Sequence, residues 1–412
     1  MLTTAFGEAS EKLNTDVSSK DIYLAMPKES STVISDLGDD HAIRESSATC
    51  GVHNDSDVYT RHTNLWFVDG SVILQVERTL FRVHMSQLSR HSVIFRDLFS
   101  LPQPPHVAHG SPRQPTPQFP AGDQKYMDDC PVLELQDSAE DFAHLLAALY
   151  DGPTFGDNGR DDYRVVAGIL RLATKYIVDK LRTRALDHLS IAWPSTLKGW
   201  DAREDLARTF QLETGLPREI RYPSPIDVII LAQHVSTDAL LPAAFYALSR
   251  YHHAQIFDVD QDVALQCLSP DTQLSTRDIQ RLALGKEASQ NAVTALIQSM
   301  KTQSQRSFPA SDSATRTRTG GVGAHGRRPS GQICVSGAAC RKDFEELVAL
   351  ATQHYLFDRE KGCTDPLYVA EELGQLKSAE FSECKACARS LEGWAAKERD
   401  RLWKLVPAWF RM

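Results

Sequence analysis

Cysteine is scarce in this chain of 412 residues: there are eight, too few and too scattered for the disulfide framework of a small secreted domain. No apolar run approaches the roughly 18 residues that a membrane-spanning helix needs. The opening stretch, Met1 to Lys12, lacks the basic start and apolar core of a secretory signal. Positive charge is in deficit as well, with 45 Lys and Arg against 54 Asp and Glu, a formal net charge of −9 and a pI near 5.9. Such a chain has no global field to attract a phosphate backbone, so direct nucleic-acid binding is not expected. From these absences a chain inside the cell is expected, cytoplasmic or nuclear, with no membrane attachment. Asn54-Asp55-Ser56 spells a glycosylation acceptor, but the match has no meaning outside the secretory route.

What is present is ordinary for a folded body, with 42% hydrophobic and 24% charged residues. Composition changes mark the boundaries. Residues 1–62 are rich in Ser, Thr, Asp and Glu without sustained periodicity and read as a disordered tail. The run PQPPHVAHGSPRQPTPQFPAGDQK, within residues 102–125, reads as a Pro-rich insertion in a folded domain spanning 63–194. A helical region is expected over 195–300, a flexible linker over 301–332, and a helical C-terminal module with Cys pairs over 333–412. There is no internal repeat.

In the first block, Val72, Leu74 and Val76 alternate with Ile73 and Gln75, and Leu80-Phe81-Arg82-Val83 resumes the extended pattern after a polar break, which predicts a β-hairpin. A short helix over His84 to Arg90 follows, and Ser92 caps a second one carrying Ile94, Phe95, Leu98 and Phe99. Beyond the insertion, Pro131 to Leu135 reads as a strand, and Ser138 with Asp141 opens a helix whose Phe142, Leu145, Leu146 and Leu149 share one face. Tyr163, Val166, Ile169 and Leu170 form a second stripe; Tyr176, Ile177, Leu181, Ala185 and Leu189 continue helically to Trp193-Pro194. Further on, Ile226 to Val235 and Leu240 to Tyr251 read as helices, and Ser275 with Asp278 starts a short one that ends at Gly285.

The segments DGSVILQVERTLFRVHMSQLSRHSVIFRDLFSLP, VLELQDSAEDFAHLLAALYDG and LRLATKYIVDKLRTRALDHL resemble, in that order, a BTB/POZ domain. More narrowly, they are similar to the BTB-domain proteins of mushroom-forming fungi, whose domain is often followed by an all-helical region. The likeness covers about 64–194 and extends more weakly to LWKLVPAWF near the end. It implies an α+β fold, a small sheet with helices at the N-terminal side followed by a mostly α-helical C-terminal region. The signature falls on Asp69, Phe81, His84, Leu88, Ser92, Phe95, Leu98 and Phe99. Its functional implication is a protein-protein interaction adaptor acting through homodimerisation or BTB hetero-association. In some members it extends to recruitment of a cullin-type ubiquitin-ligase scaffold. Three departures stand out: Met85 follows His84 where relatives carry a basic residue; the Pro-rich insertion is longer than in compact members; and Tyr150 to Arg160 contains no Glu, whereas cullin-binding members often carry a hydrophobic-x-Glu element after the third helix.

For chemistry the sequence offers little. His84 and Asp69 could form an acid/base pair, but no Gly-x-Ser-x-Gly elbow accompanies them, and a partly buried, hydrogen-bonded imidazole at a strand-to-helix junction is the simpler reading. Gly321 to Gly326 spells a dinucleotide fingerprint without the strand and helix that would give it meaning. The same linker carries Arg306, Arg316, Arg318, Arg327 and Arg328 against Asp312; a solvated tether fits this diluted charge better than a nuclear-import or phosphorylation segment. Cys334, Cys340, Cys384 and Cys387 admit two readings. The Cys-x-x-Cys pair at 384 and 387, joined by Cys334 and Cys340 with His354 as a substitute, suits a structural zinc site, while small buried thiols in a helical core are the plain alternative. No thioredoxin-like strand precedes Cys384, so a redox role is not expected. Trp394, Leu402, Trp403, Val406, Trp409 and Phe410 make the C-terminus aromatic, which reads as a clamp closing the helical module rather than a docking face.

With no catalytic constellation, the chain is expected to be an adaptor and not an enzyme. A cullin-dependent substrate adaptor and a zinc-containing nuclear cofactor are the alternatives.

Overall fold

Backbone alternation in the first block builds a five-stranded sheet. The structure, a computed structural model, describes residues 59–101, 126–257, 263–267, 273–307, 337–357, 364–375 and 384–412. Strand β2 (Val72–Val76) turns at Glu77 into β3 (Thr79–Val83), with Leu74 opposite Phe81 in the antiparallel ladder. Strand β1 (Thr60–Trp66) lies parallel to β3, and β5 (Cys130–Leu135) lies parallel to β2 with Leu74 beside Leu133. A two-residue strand β4 (Tyr126–Met127) reaches β5 through Asp128 and Asp129, both at positive φ as a mirror-image hairpin turn requires. The order across the sheet is β1-β3-β2-β5-β4.

The period-two pattern separates the two faces. Val72, Leu74, Val76, Phe81 and Val83 join one core with the helices, whereas Ile73 and Leu80 look the other way and meet Cys130. The second face is shielded by Trp66, Val132 and Met127, and the Arg61 guanidinium sits 4.4 Å above the Trp66 ring while pairing with Asp128 at 3.1 Å.

The expected helices form on the first face. Helix α1 (Met85–His91) leads to α2 (Val93–Ser100), where Ser92 Oγ accepts from the Phe95 amide at 3.1 Å and donates to the Tyr176 carbonyl at 2.6 Å. Ser138 likewise caps α3 (Ala139–Tyr150). Helices α4 (Arg160–Lys175) and α5 (Asp179–Ala192) follow.

Two expectations for this block change. The domain starts at least as early as Thr60, inside the segment read as a tail, because β1 borrows its order from β3 and needs only one buried residue, Leu65. Tyr176 and Ile177 do not extend a helix: α4 closes when the Val178 amide bonds the Ala173 carbonyl at 2.8 Å, which leaves Ile177 at φ +51°. The remainder of the tail and the Pro-rich insertion lie outside the described residues.

The rest is helical: α6 (Leu197–Thr214), a 3₁₀ turn (Arg218–Arg221), α7 (Pro225–His234), α8 (Leu241–Ser249), α9 (His253–Phe257), α10 (Thr276–Ser307), α11 (Gly337–Thr352), a π turn (Gln353–Phe357), α12 (Pro366–Gln375) and α13 (Lys385–Trp409). Ser275 does start α10, with the Asp278 amide donating to its Oγ at 3.2 Å, but Gly285 does not stop it. The helix runs through Gly285 and on to Ser307, into the stretch read as linker, because the absent Cβ is what admits Phe410. Residues 308–336 lie outside the described part.

One core then unites what the sequence divided at that stretch. Phe245, Tyr246, Leu282, Val293 and Leu296 share it with Phe344, Leu347, Leu391, Trp403 and Phe410, and Tyr163, Val166 and Leu189 of α4 and α5 belong to it as well. The described residues of 195–300 and 333–412 therefore share one core, and the aromatic C-terminus packs into it.

Candidate functional site

His84 sits where β3 passes into α1. Its backbone amide donates to the Tyr150 hydroxyl at 3.0 Å, and that hydroxyl lies 2.9 Å from ring Nδ1. The Asp69 carboxylate, whose Oδ2 lies 3.2 Å from Nε2, can only accept, so in the neutral ring Nε2 carries the proton and Nδ1 accepts from the Tyr150 hydroxyl. The hydrogen bond from His84 holds the exposed Asp69 carboxyl below its usual range. Phe67 stacks on Tyr150 at 4.7 Å and covers the assembly. Both imidazole nitrogens are engaged in holding strand, loop and helix together, so His84 pins this junction.

The remaining signature residues are interior. Phe81, Leu88 and Phe95 are fully buried, Ser92 is buried as a cap, and Leu98 and Phe99 pack partly against the same core. Phe95 stacks on Tyr176 at 4.7 Å. Phe81, Leu88, Ser92 and Phe95 are thereby closed to a partner, while Leu98 and Phe99 keep part of their surface exposed. Apolar surface is instead offered by Val68, 84% exposed, Leu101 at 60% and Ile94 at 40%.

A second cluster gave no signal in the sequence. Arg203 of α6 is buried, its guanidinium 4.8 Å from the Trp193 ring, 4.8 Å from Trp200 and 4.3 Å from Tyr222. It meets Glu204 at 2.6 Å; Arg250 joins Glu204 at 3.1 Å and Asp365 at 2.8 Å; and the Tyr246 hydroxyl donates to Asp365 at 2.6 Å. Burial alone would raise the Glu204 carboxyl, but Arg250 and Arg203 outweigh it and hold it down to about 2. These charges form part of the wall of a cavity of about 690 Å³, which Arg218, Glu219, His252 and Gln255 also line. The volume suits a small ligand, yet Arg203 and Arg250 in its wall are already matched by Glu204 and Asp365. The cluster's primary work is joining α6, α8 and the start of α12. Sequence reading missed it because Trp200 to Glu204 looks like an ordinary solvated helical stretch, and its partners come from distant parts of the chain.

No family model and no curated protein matches the chain.

The geometry of the cysteines is more specific. Cys340 lies in the first turn of α11, Cys384 is the residue that opens α13, and Cys387 is in the first turn of α13. All three are buried, and their Sγ atoms lie within 4.8 Å of one another. His354, expected as a substitute, is not in this cluster, and Cys334 lies outside the described residues. Among the described residues no helix is long and apolar enough to cross a membrane.

Proposed function

We propose that this chain is a protein-interaction adaptor of the BTB/POZ type. Its α+β region self-associates or pairs with a related domain, and its helical region presents a second surface. The observation that supports this reading is the order of elements around one core: the β2–β3 hairpin, the helix pair α1–α2, strand β5 returning parallel to β2, and then α3 to α5. That is the series the sequence resemblance implies. Pinning and capping groups such as His84, Tyr150 and Ser92 are consumed inside the domain, whereas Val68, Ile94 and Leu101 leave apolar surface outside it.

The test is the mass in solution of the full chain, whose monomer is 45.9 kDa, measured by sedimentation equilibrium. A dimer is expected, and the double variant Val68→Asp, Ile94→Asp is expected to be monomeric with an unchanged circular-dichroism spectrum. Affinity capture from native cells supplies the second arm. A chain that stays monomeric and retains no related domain ends the proposal. A cullin recovered in amounts comparable to the bait replaces it with a ubiquitin-ligase adaptor.

A further inference from the structure

Separately from the adaptor reading, we infer that Cys340, Cys384 and Cys387 bind a zinc ion that ties the start of α11 to the start of α13. The two helices come from segments separated by α12, and each packs against α10. Three sulfur atoms from them meet within 4.8 Å. Tetrahedral zinc with bonds of about 2.3 Å to sulfur sets its ligands about 3.8 Å apart, so closing on a metal asks for a contraction of at most about an ångström.

Charge favours the same occupant. Three thiolates around Zn²⁺ leave one net negative charge, and here it would fall at the amino ends of two helices, α11 and α13, where the helix dipoles stabilise negative charge. The three cysteines are buried in the same core as Phe344, Leu347, Ala388 and Leu391. Hard cations that prefer oxygen ligands are disfavoured by a set made only of sulfur. Binding exchanges three thiol protons for the metal, so uptake releases acid and weakens as pH falls. With three protein ligands supplied here, the fourth coordination position belongs to a donor outside this cluster.

The full-length protein, produced in medium supplemented with zinc and purified without chelator, is analysed for metal by mass spectrometry, and zinc-edge X-ray absorption reports the ligands. The expected result is one zinc per chain with sulfur in its first shell at about 2.3 Å. Cys340→Ser, Cys384→Ser and Cys387→Ser are expected to abolish retention, while Cys130→Ser and Cys267→Ser retain it. Because a serine variant can fail to fold, Cys387→His serves as a check, since it keeps a zinc ligand and is expected to keep the metal. Replacing zinc by cobalt should bring up a sulfur-to-cobalt charge-transfer band. Metal absent from the folded chain with no cobalt band, zinc held only by oxygen and nitrogen, or an intact mass lower by the two hydrogens of a disulfide each overturns the inference.

Discussion

The ring of Phe410 lies against Gly285 so closely that a Cβ at position 285 would overlap it. Phe410 is fully buried and also meets Phe245 at 5.4 Å between ring centroids, so it has no room to retreat. A glycine inside an exposed helix ordinarily costs about 1 kcal/mol relative to alanine; here the sign reverses. Gly285→Ala is expected to lower unfolding stability by about 1 to 3 kcal/mol, measured by urea denaturation. An unchanged or raised midpoint would mean that Phe410 is not held where the structure puts it.

Tyr150→Phe removes the oxygen that accepts from the His84 amide and engages Nδ1. The expected loss is about 1 to 3 kcal/mol, because a partly buried amide and a ring nitrogen lose their partner. Asp69→Asn should cost much less, since that carboxylate is exposed. Equal effects of the two substitutions would contradict the pin geometry.

Glu204 is held down to about 2 in the fold, against an unfolded value near 4.5. A depressed carboxyl stabilises the folded state above its unfolded value, and that contribution drains away as pH falls from about 4.5 through about 2. The amount is on the order of 3 kcal/mol. Asp162 adds to the trend: burial would raise it, but His188 and the amides of Gly156 and Asn158 hold it low. Denaturation midpoints across this window should therefore fall with acid, and Glu204→Gln should flatten the slope while lowering stability at neutral pH. The neutral-pH loss follows because Arg203 and Arg250 stay buried with less countercharge.

Ile177 is a branched residue held at φ +51° and 40% exposed, a conformation that glycine adopts without penalty. Ile177→Gly is expected to raise stability by about 1 kcal/mol, read as a higher thermal midpoint. A lower midpoint would show that the isoleucine side chain contributes packing that outweighs the backbone strain.

Much of the first block was legible because local signals agreed with the global arrangement. Alternation at Val72, Leu74 and Val76 announced the hairpin, and Ser92 and Ser138 announced their helices. Strand β1 was illegible because its order comes from β3 and only Leu65 is buried in it. Gly285 misled for a related reason: as local text it reads as a stop, and only Phe410, far along the chain, explains it. The cysteines were visible through the Cys-x-x-Cys spacing, but the sequence could not say that Cys340 joins that pair while His354 does not. The Arg203 cage left no trace at all, since cation–aromatic contacts drawn from α6, its flanks and the Tyr222 turn have no spacing rule.

Trp403 donates its indole N–H to the Ser195 carbonyl at 2.9 Å and stands 5.4 Å from Trp200. During synthesis, Ser195 and Trp200 emerge long before Trp403 leaves the ribosome, so the helical core waits for its last wall. The α+β region has its own core complete by Leu181 and can fold while translation continues. The helical remainder keeps apolar faces uncovered until Trp403 arrives. A stop codon ahead of Trp403 would then deliver a folded α+β region attached to an uncompleted helical one, a species recognised by chaperones rather than a shorter working protein.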